Sequence, residues 1–204
     1  MSALYDLGVR VAAMKPVESG GTSDSQQLRH AAGDVFPAEL VTPVSLPDPV
    51  APLLAARRAH RTIELDVLDR AFTTLHEASD MIVVEGAGGL LVPLTPTVHI
   101  GDLFRRWELE LIIVAVNRLG AVNHTLLTID AARALGLRVR AVVLNTVVRD
   151  APSADDPIAL DTNQSLIAEL RDVPVYRFPH LDGATRTADH RAAGRDLVEW
   201  LRAQ

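Results

Sequence analysis

Met81-Ile82-Val83-Val84-Glu85-Gly86-Ala87-Gly88-Gly89 sets an unbroken apolar run directly ahead of a carboxylate and a glycine-rich turn. Four apolar residues without a polar interruption read as a strand covered on both faces, the habit of parallel sheets flanked by helices. Runs of the same kind recur on either side: Val9 to Met14, Leu111 to Val116, Val139 to Leu144 and Val173 to Tyr176. Helical patterns lie between them. Ile63 to His76 places Ile63, Val67, Leu68, Ala71, Phe72 and Leu75 on one face, and Asn123 to Leu135 runs into Gly136, a helix stop. Ser25 to Ala32, Asn163 to Leu170 and Ala188 to Leu201 supply further helices. Strands alternating with helices predict an α/β fold, a doubly wound and mostly parallel sheet with helices on both faces. Residues 34–52, with Pro37, Pro43, Pro47 and Pro49, read as a long irregular connection, and 151–157 as an exposed acidic loop.

Composition bounds the function. The chain has 204 residues, 48% hydrophobic and 23% charged, which fits one globular domain spanning 1–204. A net charge of −6 with scattered Arg residues argues against nucleic acid and anionic lipid as partners. No apolar stretch approaches the ~20 residues of a membrane span, and the first residues lack a signal-peptide pattern, so a cytoplasmic protein is expected. The absence of Cys excludes disulfides and thiolate chemistry.

In sheets of this type ligands bind beyond the carboxyl ends of the strands. Those positions carry Lys15, Glu85 with Gly86, Ala87 and Gly88, then Asn117, and Asn145, so these groups are expected at one edge. Lys15 is the only Lys among twenty basic residues, in Lys15-Pro16-Val17-Glu18-Ser19-Gly20. A Lys kept against that Arg bias points to chemistry needing a compact cation, although chance retention is the bland alternative. Glu85 sits where nucleotide-hydrolysing α/β proteins hold Mg²⁺, and the glycines after it would admit phosphate to backbone amides. A plain glycine-rich turn gives the same pattern. Asp24 reads either as a cap on the following helix or, with Lys15 and Ser19 close upstream, as a metal ligand. Asn145 reads as a turn residue or as a reader of a purine edge. The seven His residues show no metal-ligand spacing, and there is no Gly-x-Ser-x-Gly elbow.

Taken in order, Lys15-Pro16-Val17-Glu18-Ser19-Gly20, Ser23-Asp24, Val83-Val84-Glu85-Gly86-Ala87-Gly88-Gly89 with Pro93-Leu94, Leu119-Gly120-Ala121-Val122-Asn123-His124 and Asn145 resemble the dethiobiotin synthetase family over nearly the whole chain. The resemblance implies a phosphate-loop NTPase-like fold and a homodimeric, ATP- and Mg²⁺-dependent ligase that makes dethiobiotin from 7,8-diaminononanoate and carbon dioxide. It makes Lys15 catalytic, Ser19 and Asn123 substrate contacts, and Asp24 and Glu85 Mg²⁺ ligands. Gly86, Ala87 and Gly88 would line the nucleotide, Asn145 and Thr146 would contact adenine, and Pro179, His180 and Leu181 would lie on the base side. Members of the family carry a first strand, a Gly-x-x-x-x-Gly-Lys-Thr loop and most of a helix ahead of the segment matching Ser2-Ala3-Leu4. The chain is therefore read as an amino-terminally truncated domain, expected by itself to bind ATP weakly. Two other functions stay open: a non-catalytic paralogue that has lost ATP use and serves as a binding or partner subunit, and a related ATP-dependent amide ligase.

Overall fold

The computed structural model describes residues 1, 3–4, 7–147, 156–180 and 198–199. The chain divides into two compact units, Met1–Ile100 and Gly101–Gln204. Every named strand pairing is parallel.

In the first unit β1 (Val11–Met14) pairs with β4 (Met81–Val84), and β2 (Val17–Ser19) pairs with β3 (Val44–Leu46). Between them lie α1 (Ser23–Ala31), α2 (Ala38–Val41), α3 (Pro52–Arg58) and α4 (Leu65–Glu77). β1 is fully buried, as a sequence of unbroken apolar residues requires, and α4 turns Leu68, Ala71 and Leu75 inward. Burying a side chain such as Leu68 or Leu75 contributes about 1.5–3 kcal/mol, enough for a few such contacts to fix this packing. The ladder register matters most for function. Met14 stands opposite Val84, and the Glu85 amide donates to the Met14 carbonyl at 2.8 Å. Lys15 and Glu85 therefore leave neighbouring strands side by side.

The 34–52 connection is more ordered than its proline content implies, since it contains α2 and β3. Val44 and Leu46 are buried while Ser45 is exposed, a period-two pattern confined to three residues. Pro43 and Pro47 flank this short strand, where the lack of an N–H costs no ladder bond.

In the second unit β5 (Leu111–Val116), β6 (Val139–Asn145) and β7 (Val175–Phe178) form one sheet in that order. The connections run through α6 (Ala121–Ala134) and α7 (Asp156–Arg171), while α5 (Ile100–Arg106) spans the junction of the two units. Ile129, Val142, Leu144, Ile167, Val173 and Val175 make the core of this unit. Central β6 is buried from Ala141 to Leu144, whereas edge strand β5 leaves Ile112, Val114 and Val116 exposed. β7 starts two residues later than its apolar run, because Pro174 has no N–H to donate and contributes only its carbonyl, to Val142. α7 begins at Asp156, so the end of the expected acidic loop is helical, while 151–155 and the helix expected over 188–201 fall outside the described residues, apart from 198–199 in the latter. Among the described residues no helix is long and apolar enough to cross a membrane.

Candidate active site

Lys15 is the first residue after β1, with its amide tied to the Val41 carbonyl at 2.8 Å. Its side chain is nearly buried, and its Nζ donates to Asp24 Oδ2 and Glu85 Oε1, both at 2.7 Å. These two oxygens therefore lie no more than twice that distance apart. Burial pulls the Lys15 pKa down, but the hydrogen bonds and charges of Asp24 and Glu85 outweigh it and hold the value above its ordinary 10.5. The same ammonium holds the Asp24 carboxyl below the usual carboxylate range. A group held low ionises earlier on the acid side, and a group held high loses its proton later on the basic side. The ion pair is thus present across neutral pH and is lost only in acid below the ordinary Asp range or in base above 10.5.

Asp24 does not cap its helix. The cap position of α1 is Thr22, which makes no side-chain bond to the helix amides, and Asp24 spends its carboxylate on Lys15. The amides of the first turn are met by Glu18 of β2, whose Oε1 accepts from the Asp24 N–H at 2.9 Å, with longer contacts of 3.4 and 3.5 Å from the Ser25 N–H. A carboxylate at a helix amino terminus satisfies unpaired donors and meets the favourable end of the helix dipole, worth about 1 kcal/mol in ordinary capping. Sequence reasoning passed over Glu18. Its signal was a charged residue inside a stretch, Val11 to Glu18, that is buried throughout.

These groups open on a cleft of about 430 Å³. It is lined by the polar Lys15, Glu18, Ser19 and Asp24 and by the apolar Pro49, Val50, Pro52 and Val92, together with Ala87 and Gly88. Ser19 lines this cleft, and its hydroxyl is buried with no hydrogen-bond partner among the described residues. Gly20 has φ +86°, and a Cβ there would fall 2.5 Å from Pro49 Cβ, so only glycine lets the two walls meet. Asp48, next to Pro49, is paired with Arg58 of α3.

Mg²⁺ takes oxygen ligands, typically one or two carboxylates together with waters and substrate phosphates. Asp24 and Glu85 fit that requirement. Their side chains are 52% and 47% exposed, open to a hydrated ion, and they bring two hard oxygens together. Among the described residues no cluster of three or more His, Asp or Glu side chains offers an all-protein cage.

The structure thus brings Lys15, Ser19, Asp24, Glu85, Ala87 and Gly88 together, with Gly86 between Glu85 and Ala87 in the chain. The other expected site residues belong to the second unit. Asn123 is exposed in the first turn of α6, and Asn145 ends β6, its carbonyl accepting from the Asn117 amide at 2.8 Å. The Thr146 amide donates to the Phe178 carbonyl at 2.9 Å. Pro179 and His180 are exposed beyond β7, and Leu181 lies outside the described residues. A family model described as an AAA domain matches residues 1–181. An ATP-dependent dethiobiotin synthetase from Methanococcus vannielii is 37% identical over 144 residues, covering 71% of this chain and 68% of that protein. The protein of the same name from Akkermansia muciniphila is 33% identical over 175 residues, covering 86% and 80% respectively. One from Anaeromyxobacter dehalogenans reaches 40% over 167 residues, covering 80% and 73%.

Proposed function

The chain belongs to the dethiobiotin synthetase family, and on that premise we propose that it is the ATP-dependent ligase which closes the ureido ring of dethiobiotin. The observation that carries the reading is the chain's one Lys, nearly buried, hydrogen-bonded to two carboxylates from separate elements and facing the cleft. In the proposed reaction one amine of 7,8-diaminononanoate adds to carbon dioxide and releases a proton, giving a carbamate. A carbamate oxygen attacks the γ-phosphorus of ATP, and ADP leaves. The neighbouring amine then attacks the carbonyl carbon, gives up a proton and expels phosphate, closing the ring.

Negative charge accumulates at the first two stages, so the protein's contribution is positioning and preorganised charge. Lys15, fixed by Asp24 and Glu85, supplies a cation whose direction is set before substrate arrives. Ser19, with its hydroxyl unpartnered among the described residues, is assigned to the diamine, and the apolar wall of Pro49, Val50 and Val92 offers a surface for its alkyl chain. Mg²⁺ bound by Asp24 and Glu85 would neutralise charge on the phosphate oxygens. Gly86, Ala87 and Gly88 are assigned to the nucleotide. In the second unit Asn123 is assigned to substrate, Asn145 and Thr146 to adenine, and Pro179, His180 and Leu181 to the base side. The family likeness also carries a cytoplasmic homodimer into the proposal.

The test, like every turnover measurement below, uses the domain joined to the family's phosphate-loop segment and follows phosphate release with each reactant omitted in turn. Release is expected only when ATP, diamine and bicarbonate are all present, because the phosphoryl acceptor is made from the last two. Release that is unchanged without the diamine would transfer the case to the amide-ligase reading, and binding of the diamine without turnover to the non-catalytic one.

A further inference from the structure

Glu18 is the one charged group of the cleft to which the proposed chemistry gives no task. It is 4% exposed, and among the described residues no basic side chain pairs with it. A buried carboxylate is costly unless it is well hydrogen-bonded, and here the compensation comes from the amino terminus of α1, through the amides of Asp24 and Ser25. The helix has no local substitute. The Thr22 hydroxyl accepts from Gln26 Nε2 and caps nothing. Asp24 is thereby held twice, by its amide to Glu18 at 2.9 Å and by its carboxylate to Lys15 at 2.7 Å. β2 joins Lys15 to α1, so the position of the first helical turn relative to the Lys15 ammonium depends on this cap.

We propose that Glu18 is a positioning residue that fixes the first turn of α1 so that Asp24 is presented to Lys15. Its importance for turnover rests on the reading of Lys15 as the catalytic cation. The positioning itself does not. Without Glu18 the first turn has neither side-chain cap nor tie to β2, and the Asp24 carboxylate is free to leave Lys15 for solvent.

The chain's single Lys makes the test direct, since labelled lysine gives one side-chain NMR signal. In the parent protein the Lys15 ammonium protons, nearly buried and held by two carboxylates, are expected to exchange slowly with water. In Glu18→Ala we expect that exchange to accelerate about tenfold or more and kcat to fall by a similar factor, the usual loss when a supporting residue behind a functional group is removed. KM for ATP is expected to change less than about twofold, the pattern of an interaction that matters in the transition state. Glu18→Gln keeps the length and one oxygen able to accept from the Asp24 amide, so it should restore most of the protection. If Glu18→Ala does not fold, Glu18→Gln carries the test, with protection between the parent and an Asp24→Asn variant. Leu75→Ala, a fully buried core change in α4, serves as the control for lost stability and should leave Lys15 exchange unchanged. Parent-like Lys15 exchange in folded Glu18→Ala, or equal acceleration in Leu75→Ala, would overturn the proposal, as would a Glu18→Gln variant that exchanges as fast as Asp24→Asn. Because exchange is read without substrates, failure of the ligase reading leaves it interpretable.

Discussion

Replacing Lys15 with Ala is expected to lower kcat by about 10²–10³, the usual cost of removing one preorganised donor aimed at developing charge. Affinity for ATP should change far less, because a group that acts on the transferring phosphoryl and the carbamate is felt mainly in the transition state. Lys15→Arg should not restore activity. The guanidinium is a wide planar fork, and the position held 2.7 Å from both Asp24 and Glu85 is that of a compact ammonium. The pH profile of the parent provides a second check. Since Asp24 and Glu85 hold the Lys15 pKa above 10.5, no lysine deprotonation limb should appear at or below that value. A limb near neutrality would mean that Lys15 acts as a base, contrary to the charge role assigned to it. Measured kcat, ATP affinity and pH profiles for the three proteins decide this.

The second large effect concerns the carboxylates. Asp24→Asn and Glu85→Gln should each raise the Mg²⁺ concentration needed for half-maximal turnover by at least about tenfold, since loss of even an outer partner of a metal ligand commonly costs that much. The two substitutions also leave Lys15 with one charged partner instead of two, so saturating Mg²⁺ should recover only part of kcat. Titrating Mg²⁺ at fixed ATP separates the two contributions. An unchanged Mg²⁺ requirement in both variants would confine these carboxylates to holding Lys15.

The elements legible in the sequence were those with an unbroken apolar run or a clear helical period. β4, β5 and β6 matched their apolar runs, although β4 is only half-buried and β5 leaves alternate residues exposed, and α4 was visible through Leu68, Ala71 and Leu75. The short elements β2, β3, α2 and α3 were not, since three to seven residues give too few turns or alternations for a period to emerge. The strand-end rule placed Lys15 and Glu85 together because adjacent parallel strands release their next residues on the same side of the ladder. Ser19 and Asp24 followed from proximity in the chain. Glu18 escaped because its function is a bond to backbone amides six and seven residues onward, and local capping rules looked instead to Asp24. The apolar wall of Pro49 and Val50 was hidden in a segment read only as irregular, and its contact with Gly20 depends on a fold that brings two loops together.

The most direct measurement of the central claim follows the carbon. The protein is incubated with ATP, Mg²⁺, 7,8-diaminononanoate and ¹³C-bicarbonate, and the product is read by mass spectrometry alongside ADP. The expected product is dethiobiotin carrying one ¹³C in its ureido carbonyl, with one ADP and one phosphate formed per ring closed, and that product is lost in Lys15→Ala. ATP turnover that yields no labelled ring, or a labelled ring formed equally well by Lys15→Ala, would contradict the central claim.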